Sequence, residues 1–189
     1  MELEKTTLDG VVILTPRAFA DDRGLFWESW NLRQFKALGI STTFVQDNQS
    51  VSHLPGTVRG LHYQAPPHAQ AKLVRVLAGE ILDVAVDFRK GSPTFGHWAG
   101  AVLSAENRCQ LLIPAGFLHG FVTRAPDTAV AYKCSDFYAR EAEGSVRFDD
   151  PDLGIDWGID PKTAVLSDKD AAAPLLRETE TPFAWEAPE

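Results

Sequence analysis

The stretch Lys72-Leu73-Val74-Arg75-Val76-Leu77-Ala78-Gly79-Glu80-Ile81-Leu82-Asp83-Val84-Ala85-Val86-Asp87 decides the fold class. It is rich in β-branched and aliphatic residues, and a glycine interrupts it at its centre. Its second half places Leu82, Val84, Val86 and Phe88 on one face of a strand, and Asp83, Ala85 and Asp87 on the other. Two such runs around Gly79-Glu80 predict a hairpin with a two-residue turn.

The same texture continues outward in both directions. Toward the C-terminus, short strands are expected at 98–103, 110–113, 120–123 and 129–134, separated by turn chemistry such as Gly91-Ser92-Pro93-Thr94. Toward the N-terminus, strands are expected at 44–52 and 58–64, broken by Leu54-Pro55-Gly56 and closed by Pro66-Pro67. Val11-Val12-Ile13-Leu14 is a further apolar strand, stopped at Pro16 because proline cannot donate to a ladder. Asp21-Asp22-Arg23-Gly24 reads as a turn leading into extended Leu25-Phe26-Trp27-Glu28. One clear helix stands out at 31–38, with Leu32, Phe35 and Leu38 on one face and Gly39 as its stop. From Asp149 onward the chain reads as loops and short helices. Many short strands with little helix between them predict an all-β, antiparallel sandwich or barrel.

A chain of 189 residues suits one domain with a sizeable core, taken here as 1–189 with a core of about 10–174 and a tail at 175–189. A net charge of −8 argues against a nucleic-acid partner, while a local cluster of cations still allows an anionic small molecule. Cys109 and Cys134 form no CxxC pair, so neither a disulfide scaffold nor a cysteine-rich metal site is expected. No leader segment and no bilayer-length apolar run is visible, which predicts a cytoplasmic protein without membrane contact.

Three segments carry candidate chemistry. Val58-Arg59-Gly60-Leu61-His62-Tyr63-Gln64 sets a planar cation, a glycine and an imidazole within four residues. Arg59 suits a phosphate or carboxylate, and His62 a proton transfer near neutral pH. A strand with one rim arginine and one hydrogen-bonded histidine fits the same spacing. Pro114-Ala115-Gly116-Phe117-Leu118-His119 is the core of the second cupin motif, whose histidine is often a metal ligand. The first motif's two histidines and glutamate are missing, however, and Lys72 stands where a carboxylate would be needed, so no metal is expected. Without a metal, His62 is free to act as a base and Lys72 can stabilise an oxyanion. Tyr132, in Ala131-Tyr132-Lys133-Cys134, offers a phenol as a proton donor or, equally, a buried core side chain.

Further segments complete a pattern. They are Asp22-Arg23-Gly24-Leu25-Phe26-Trp27-Glu28, Gln46-Asp47-Asn48-Gln49-Ser50, Gln70-Ala71-Lys72-Leu73-Val74, Gly91-Ser92-Pro93-Thr94-Phe95-Gly96 and Leu166-Ser167-Asp168-Lys169-Asp170. With the three above, in this order and spacing, the chain resembles the dTDP-4-dehydrorhamnose 3,5-epimerases, the cupin-fold sugar-nucleotide epimerases of the rhamnose pathway. The resemblance implies a cupin jelly roll and a homodimer with strand exchange, to which the apolar N-terminal strand could contribute at a partner's sheet edge. It implies a dTDP-sugar substrate and no cofactor. His62 matches the family's catalytic base, Asp170 the carboxylate paired with it, Tyr132 the opposed general acid and Lys72 the cation near the sugar's C4 oxygen. Arg23, Glu28, Gln46, Asn48, Arg59, His119, Tyr138 and Glu143 match positions that bind nucleotide, diphosphate and sugar, with Arg23 and Arg59 toward the diphosphate. Phe19 and Phe26 match contacts to the thymine. Inversion of a single centre in a related 4-keto sugar nucleotide uses the same base and acid, and a metal-dependent cupin isomerase is the remoter alternative. His53 and His68 read as surface residues, and His97 has no assigned role.

Overall fold

A computed structural model describes residues 1–187. In chain order the strands are β1 (Glu2–Lys5), β2 (Val12–Thr15), β3 (Ala18–Asp21), β4 (Gly24–Trp27), β5 (Gln46–Ser52), β6 (Val58–Gln64), β7 (Lys72–Ala78) and β8 (Glu80–Asp87). They continue as β9 (Arg89–Lys90), β10 (Trp98–Ser104), β11 (Gln110–Ile113), β12 (Phe117–Thr123), β13 (Thr128–Cys134), β14 (Glu143–Ser145) and β15 (Phe183–Ala184). Two short helices, α1 (Leu32–Ala37) and α2 (Asp168–Ala171), complete the regular structure with three 3-10 turns.

Two antiparallel sheets face each other. One has the order β1-β2-β11-β7-β13-β5, the other β10-β8-β12-β6-β14. Val74, Val76, Ile81, Ala85, Leu111, Ile113, Phe121 and Val130 point inward from both sheets and fill one end of the space between them. The outer face of the second sheet is also buried, because the chain after β14 folds back over it. Leu82, Val84, Val86 and Phe88 there pack with Phe148, Leu153 and Trp157, and with Leu166, Leu176 and Phe183. β8 is therefore apolar on one face for the covering segment and mixed on the other for the interior. The expected alternation holds residue for residue.

The expected hairpin does not hold. β7 pairs with β11 and β13, whereas β8 pairs with β10 and β12, so Gly79 carries the chain from one sheet to the other. Alternation fixes which residues share a face but leaves open which strand lies alongside. A Cβ on Gly79 would stand 2.3 Å from Thr128 Oγ1, so the arch needs glycine there.

Smaller departures have equally local causes. β1 was not expected, since its Glu2-Leu3-Glu4-Lys5 is mostly charged; it is an edge strand with few apolar contacts to make. β2 pairs on both sides within the chain, with β1 and β11, so the sheet edge at this end belongs to β1 and not to the apolar strand. Asn31 caps α1 by accepting from the backbone N–H groups of Arg33 and Gln34. Phe35 buries fully and Leu38 packs beside it against the outer face of the first sheet, while Leu32 stays 38% exposed. β12 begins at Phe117, so the Pro114–His119 motif runs directly into a strand. The tail is fastened: Thr181 donates to the Phe88 carbonyl, and β15 pairs parallel with β9.

At the end of β8, Asp87 is buried and ties down the Gly91–Gly96 motif. Its carboxylate accepts from Arg89 Nε and Nη2 at 2.9 and 2.7 Å, from Ser92 Oγ at 2.6 Å and from Thr94 Oγ1 at 2.7 Å. Burial pushes this carboxyl up, but the Arg89, Ser92 and Thr94 donors outweigh it and hold it at about 2, below its ordinary 3.8. A depressed folded-state value means stability that is present above about pH 4 and lost as pH falls toward 2. Asp87→Asn should lower stability at pH 7 and flatten this acid decline, as read by urea denaturation between pH 6 and 2. An unchanged acid slope in the variant would assign the decline to other carboxylates.

Candidate active site

The site begins with an irregularity in β6. His62 stands opposite His119 and Arg59 opposite Phe121, so three steps of β6 match two of β12. The extra residue is a bulge at Gly60-Leu61, which turns Arg59 and His62 to the same face although they are three apart. Glycine is required at position 60, and position 120 leaves little room for a side chain. A Cβ on Gly60 would lie 2.5 Å from Gly120 Cα and 2.7 Å from the His119 carbonyl. One on Gly120 would meet the Arg59 carbonyl at 3.0 Å.

Arg59, His62 and His119 line a cavity of about 430 Å³ between the sheets, at the end that the apolar core leaves open. Lys72 and Tyr132 reach it from β7 and β13 of the facing sheet, with the Lys72 Nζ 6.0 Å from the centre of the Tyr132 ring. Glu143 on β14 and Asp170 on α2 close its rim. Six sequence-matched residues thus meet with His62 in one space, although they come from six separate elements.

His62 is held by Asp170. Its Nε2–H donates to Asp170 Oδ1 at 2.5 Å, which leaves the lone pair on Nδ1. Burial pushes the Asp170 carboxyl up, but the His62 hydrogen bond and charge, together with the Ser167 hydroxyl and Lys169, bring it below the usual range. His119 makes a parallel pair deeper in the site, donating from Nε2 to the fully buried Asp83 at 2.7 Å. Burial lowers the pKa of the His119 imidazole against the pull of Asp83. Burial also lowers the pKa of the Lys72 ammonium, opposed by the carboxylates of Asp83 and Glu143. Burial raises the Tyr132 phenol, so it enters any reaction carrying its proton. Among the described residues, no group of three or more His, Cys, Asp or Glu side chains is placed to hold a metal ion. The two cavity histidines instead each commit a nitrogen to a carboxylate.

Hydrogen bonds hold the lining residues Arg59 and Glu143 and connect other matched residues to Glu143 or to one another. Arg59 Nε donates to Ser52 Oγ at 3.2 Å and its Nη2 to the Val51 carbonyl at 3.3 Å. Gln46 donates to Asn48 Oδ1 at 3.0 Å and accepts from the Tyr138 backbone N–H at 3.0 Å. The Tyr138 hydroxyl donates to Glu143 Oε2 at 3.1 Å, and Lys169 Nζ lies 2.6 Å from Glu143 Oε1. Those donors outweigh the upward push of burial and keep the Glu143 carboxyl low.

Gln46, Asn48 and Tyr138 flank the cavity without lining it, and four matched residues lie apart from this network. Phe19, Arg23 and Phe26 lie on the hairpin of β3 and β4, which among the described residues pairs with no other strand, and Phe19 and Phe26 are 52% and 68% exposed. Phe19 faces Phe26 across that hairpin. Arg23 pairs with Asp21 at its tip. Glu28 accepts from Asn31 and Gln34 at the start of α1. His53 and His68 pair with Asp127 and Asp136 away from the cavity, as surface residues.

Asp83, Ser167 and Lys169 received no role from sequence. Asp83 carried a signal, a carboxylate between Ile81 and Ala85 on the inward face of β8. Ser167 carried another, the Ser-x-x-Asp spacing of a helix start.

Known proteins share this fold and much of its sequence. The family model for dTDP-4-dehydrorhamnose 3,5-epimerase matches residues 5–178. The chain belongs to that family. The Salmonella typhimurium dTDP-4-dehydrorhamnose 3,5-epimerase is 51% identical over 173 residues, 91% of this chain and 93% of the relative. The crystal structure of the Legionella pneumophila dTDP-6-deoxy-D-glucose-3,5-epimerase, in complex with dTDP-4-keto-L-rhamnose, superposes with a TM-score of 0.93. It is 46% identical and covers 98% of this chain and 99% of its own. A Streptomyces bikiniensis 3'-monoepimerase in complex with dTDP-quinovose is 38% identical with a TM-score of 0.84, covering 91% of this chain and 86% of its own. The cupin-like jelly roll and the epimerase class read from sequence are both borne out.

Proposed function

We propose that this family member inverts C3 and C5 of dTDP-4-dehydro-6-deoxy-D-glucose, giving dTDP-4-dehydro-L-rhamnose, without a cofactor. One observation carries the mechanism: His62 and Tyr132 come from opposite sheets and face one cavity, with Lys72 beside the tyrosine. The C4 ketone acidifies the C–H bonds on its two neighbouring carbons. His62 Nδ1 takes one such proton, and the C–H electron pair becomes the enolate, with its charge on the C4 oxygen. Asp170 holds the ring through Nε2 while Nδ1 takes the proton. The Lys72 ammonium, held in a low-dielectric site, stabilises the enolate oxygen. Tyr132 then gives its proton to the opposite face of the carbon, and the tyrosinate and imidazolium re-equilibrate with solvent. Each acid–base group of this kind contributes about 10²–10⁴-fold.

In this reading Arg59 takes the diphosphate and the deeper His119 the sugar, while Gln46, Asn48, Tyr138 and Glu143 serve the nucleotide side, a role their hydrogen-bonded links through Tyr138 support. Phe19, Arg23, Phe26 and Glu28 serve a nucleotide only if the β3–β4 hairpin reaches another subunit. This supports a homodimer in which each hairpin completes its partner's site. A two-stranded ribbon with two exposed phenylalanines is marginal in water unless something covers it. The compartment is the cytoplasm, where Cys109 and Cys134, both free thiols, stay reduced. Among the described residues, no helix is long and apolar enough to cross a membrane.

Turnover of the 4-keto-6-deoxy-glucose nucleotide in D₂O, followed by NMR, tests the reaction. Deuterium is expected at both C3 and C5. Label at one carbon alone would make the chain a mono-epimerase like the Streptomyces bikiniensis relative, and no label would remove the reading. Complementation tests the shared site. A chain lacking residues 18–27 and a His62→Ala chain should each be inactive. Mixed and reassembled, they should recover about a quarter of normal activity, because half of the dimers are mixed and each has one complete site. No recovery, with mixed dimers demonstrated, would place the hairpin outside the partner's site.

A further inference from the structure

The carboxylate that holds His62 is itself held at its other oxygen. Asp170 Oδ1 accepts from His62, and Asp170 Oδ2 accepts from the Ser167 hydroxyl at 2.8 Å. The same Ser167 oxygen accepts the Asp170 backbone N–H at 3.1 Å and caps α2. α2 is a single turn, too short to hold a side chain in place by its own stability. The segment before it is fixed to the strand that carries His62. Val165 bridges Thr57 in parallel, its N–H donating to the Gly56 carbonyl at 2.9 Å and its carbonyl accepting from Val58 at 3.0 Å. Ser167 thus stands two residues from an anchor on β6, with its hydroxyl on the second oxygen of the base's partner, in the wall of the cavity.

We infer that Ser167 is a positioning residue for the epimerase base: it clamps the Asp170 carboxylate plane so that His62 presents Nδ1 to the substrate carbon. An unclamped carboxylate turns about its terminal bond, a soft two-fold torsion, and releases the ring orientation with it. Because proton transfer needs the base aligned to within a fraction of an ångström, loss of the clamp lowers the chemical step without loosening the nucleotide. The inference rests on the reaction proposed above.

Ser167→Gly separates clamping from capping, since glycine caps a helix almost as well as serine but carries no hydroxyl. On the dTDP-4-keto sugar, kcat should fall about tenfold or more with KM within about twofold. The thermal midpoint should stay near that of the unaltered protein, and Ser167→Thr, which keeps the hydroxyl, should restore kcat. A Ser167→Gly enzyme with unchanged kcat, while the unaltered protein turns over, would overturn the clamp and leave the reaction standing. A readout without substrate is the low-field imidazole N–H proton of the His62–Asp170 hydrogen bond, assigned by its absence in His62→Ala. It should be present in the unaltered protein and broadened or lost in Ser167→Gly. Its persistence unchanged in that variant would equally overturn the clamp, whatever the substrate proves to be.

Discussion

The contact between Gly60 and Gly120 is the constraint on which the site depends. Where the two strands cross, their backbones approach so closely that a methyl group on Gly60 would overlap Gly120 Cα at 2.5 Å. The bulge it permits brings Arg59 and His62 onto one face and sets His119 directly across from His62. A guanidinium and two imidazoles thereby reach one cavity from two neighbouring strands. In a regular strand, Arg59 and His62 would point to opposite sides. One of them would be lost to the apolar layer formed by Leu61, Leu118 and Val146.

The opposing sheet supplies what the first cannot. Inverting a carbon needs a proton taken from one face and returned to the other, and groups on one strand or one sheet approach from a single side. Tyr132 and Lys72 come from β13 and β7, which lie next to each other in the facing sheet. The jelly roll thus provides two fixed walls and a gap between them. Burial then adjusts the chemistry. It keeps the Tyr132 proton in place, while the paired carboxylates Asp170 and Asp83 stay available to the two histidines. Lys72 is a cation held out of water, where its attraction to a developing oxyanion is strongest.

Much of this was legible in the residues. Alternation in 80–87 assigned both faces of β8, because side chains there must meet either the interior or the covering segment. Leu32, Phe35 and Leu38 marked the apolar face of α1 and Gly39 its stop, while the cap at Asn31 shows only in the structure. The strand pairing was hidden, since a glycine between two apolar runs serves a hairpin and an inter-sheet arch alike. β1 was hidden because charged edge strands lack an apolar signature. In the site, the ordered motifs picked out His62, Lys72, Tyr132 and Asp170, but spacing along the chain could not show that they converge. Asp83 and Ser167 act through histidine and carboxylate partners 36 and 3 residues away, and only three-dimensional proximity reveals the longer of these links. The placement of Phe19, Arg23 and Phe26 on a hairpin that leaves the chain's own cavity also appears only in space.

The central claim is that two groups on opposite walls divide the proton transfer. It is tested most directly by Tyr132→Phe, assayed in D₂O with solvent exchange and stereochemical inversion followed together on the same sample. His62 remains in that variant, so exchange of the substrate's α hydrogens should continue while inversion slows by at least about a hundredfold. Inversion at the normal rate, or equal loss of exchange and inversion, would contradict the division of roles between His62 and Tyr132.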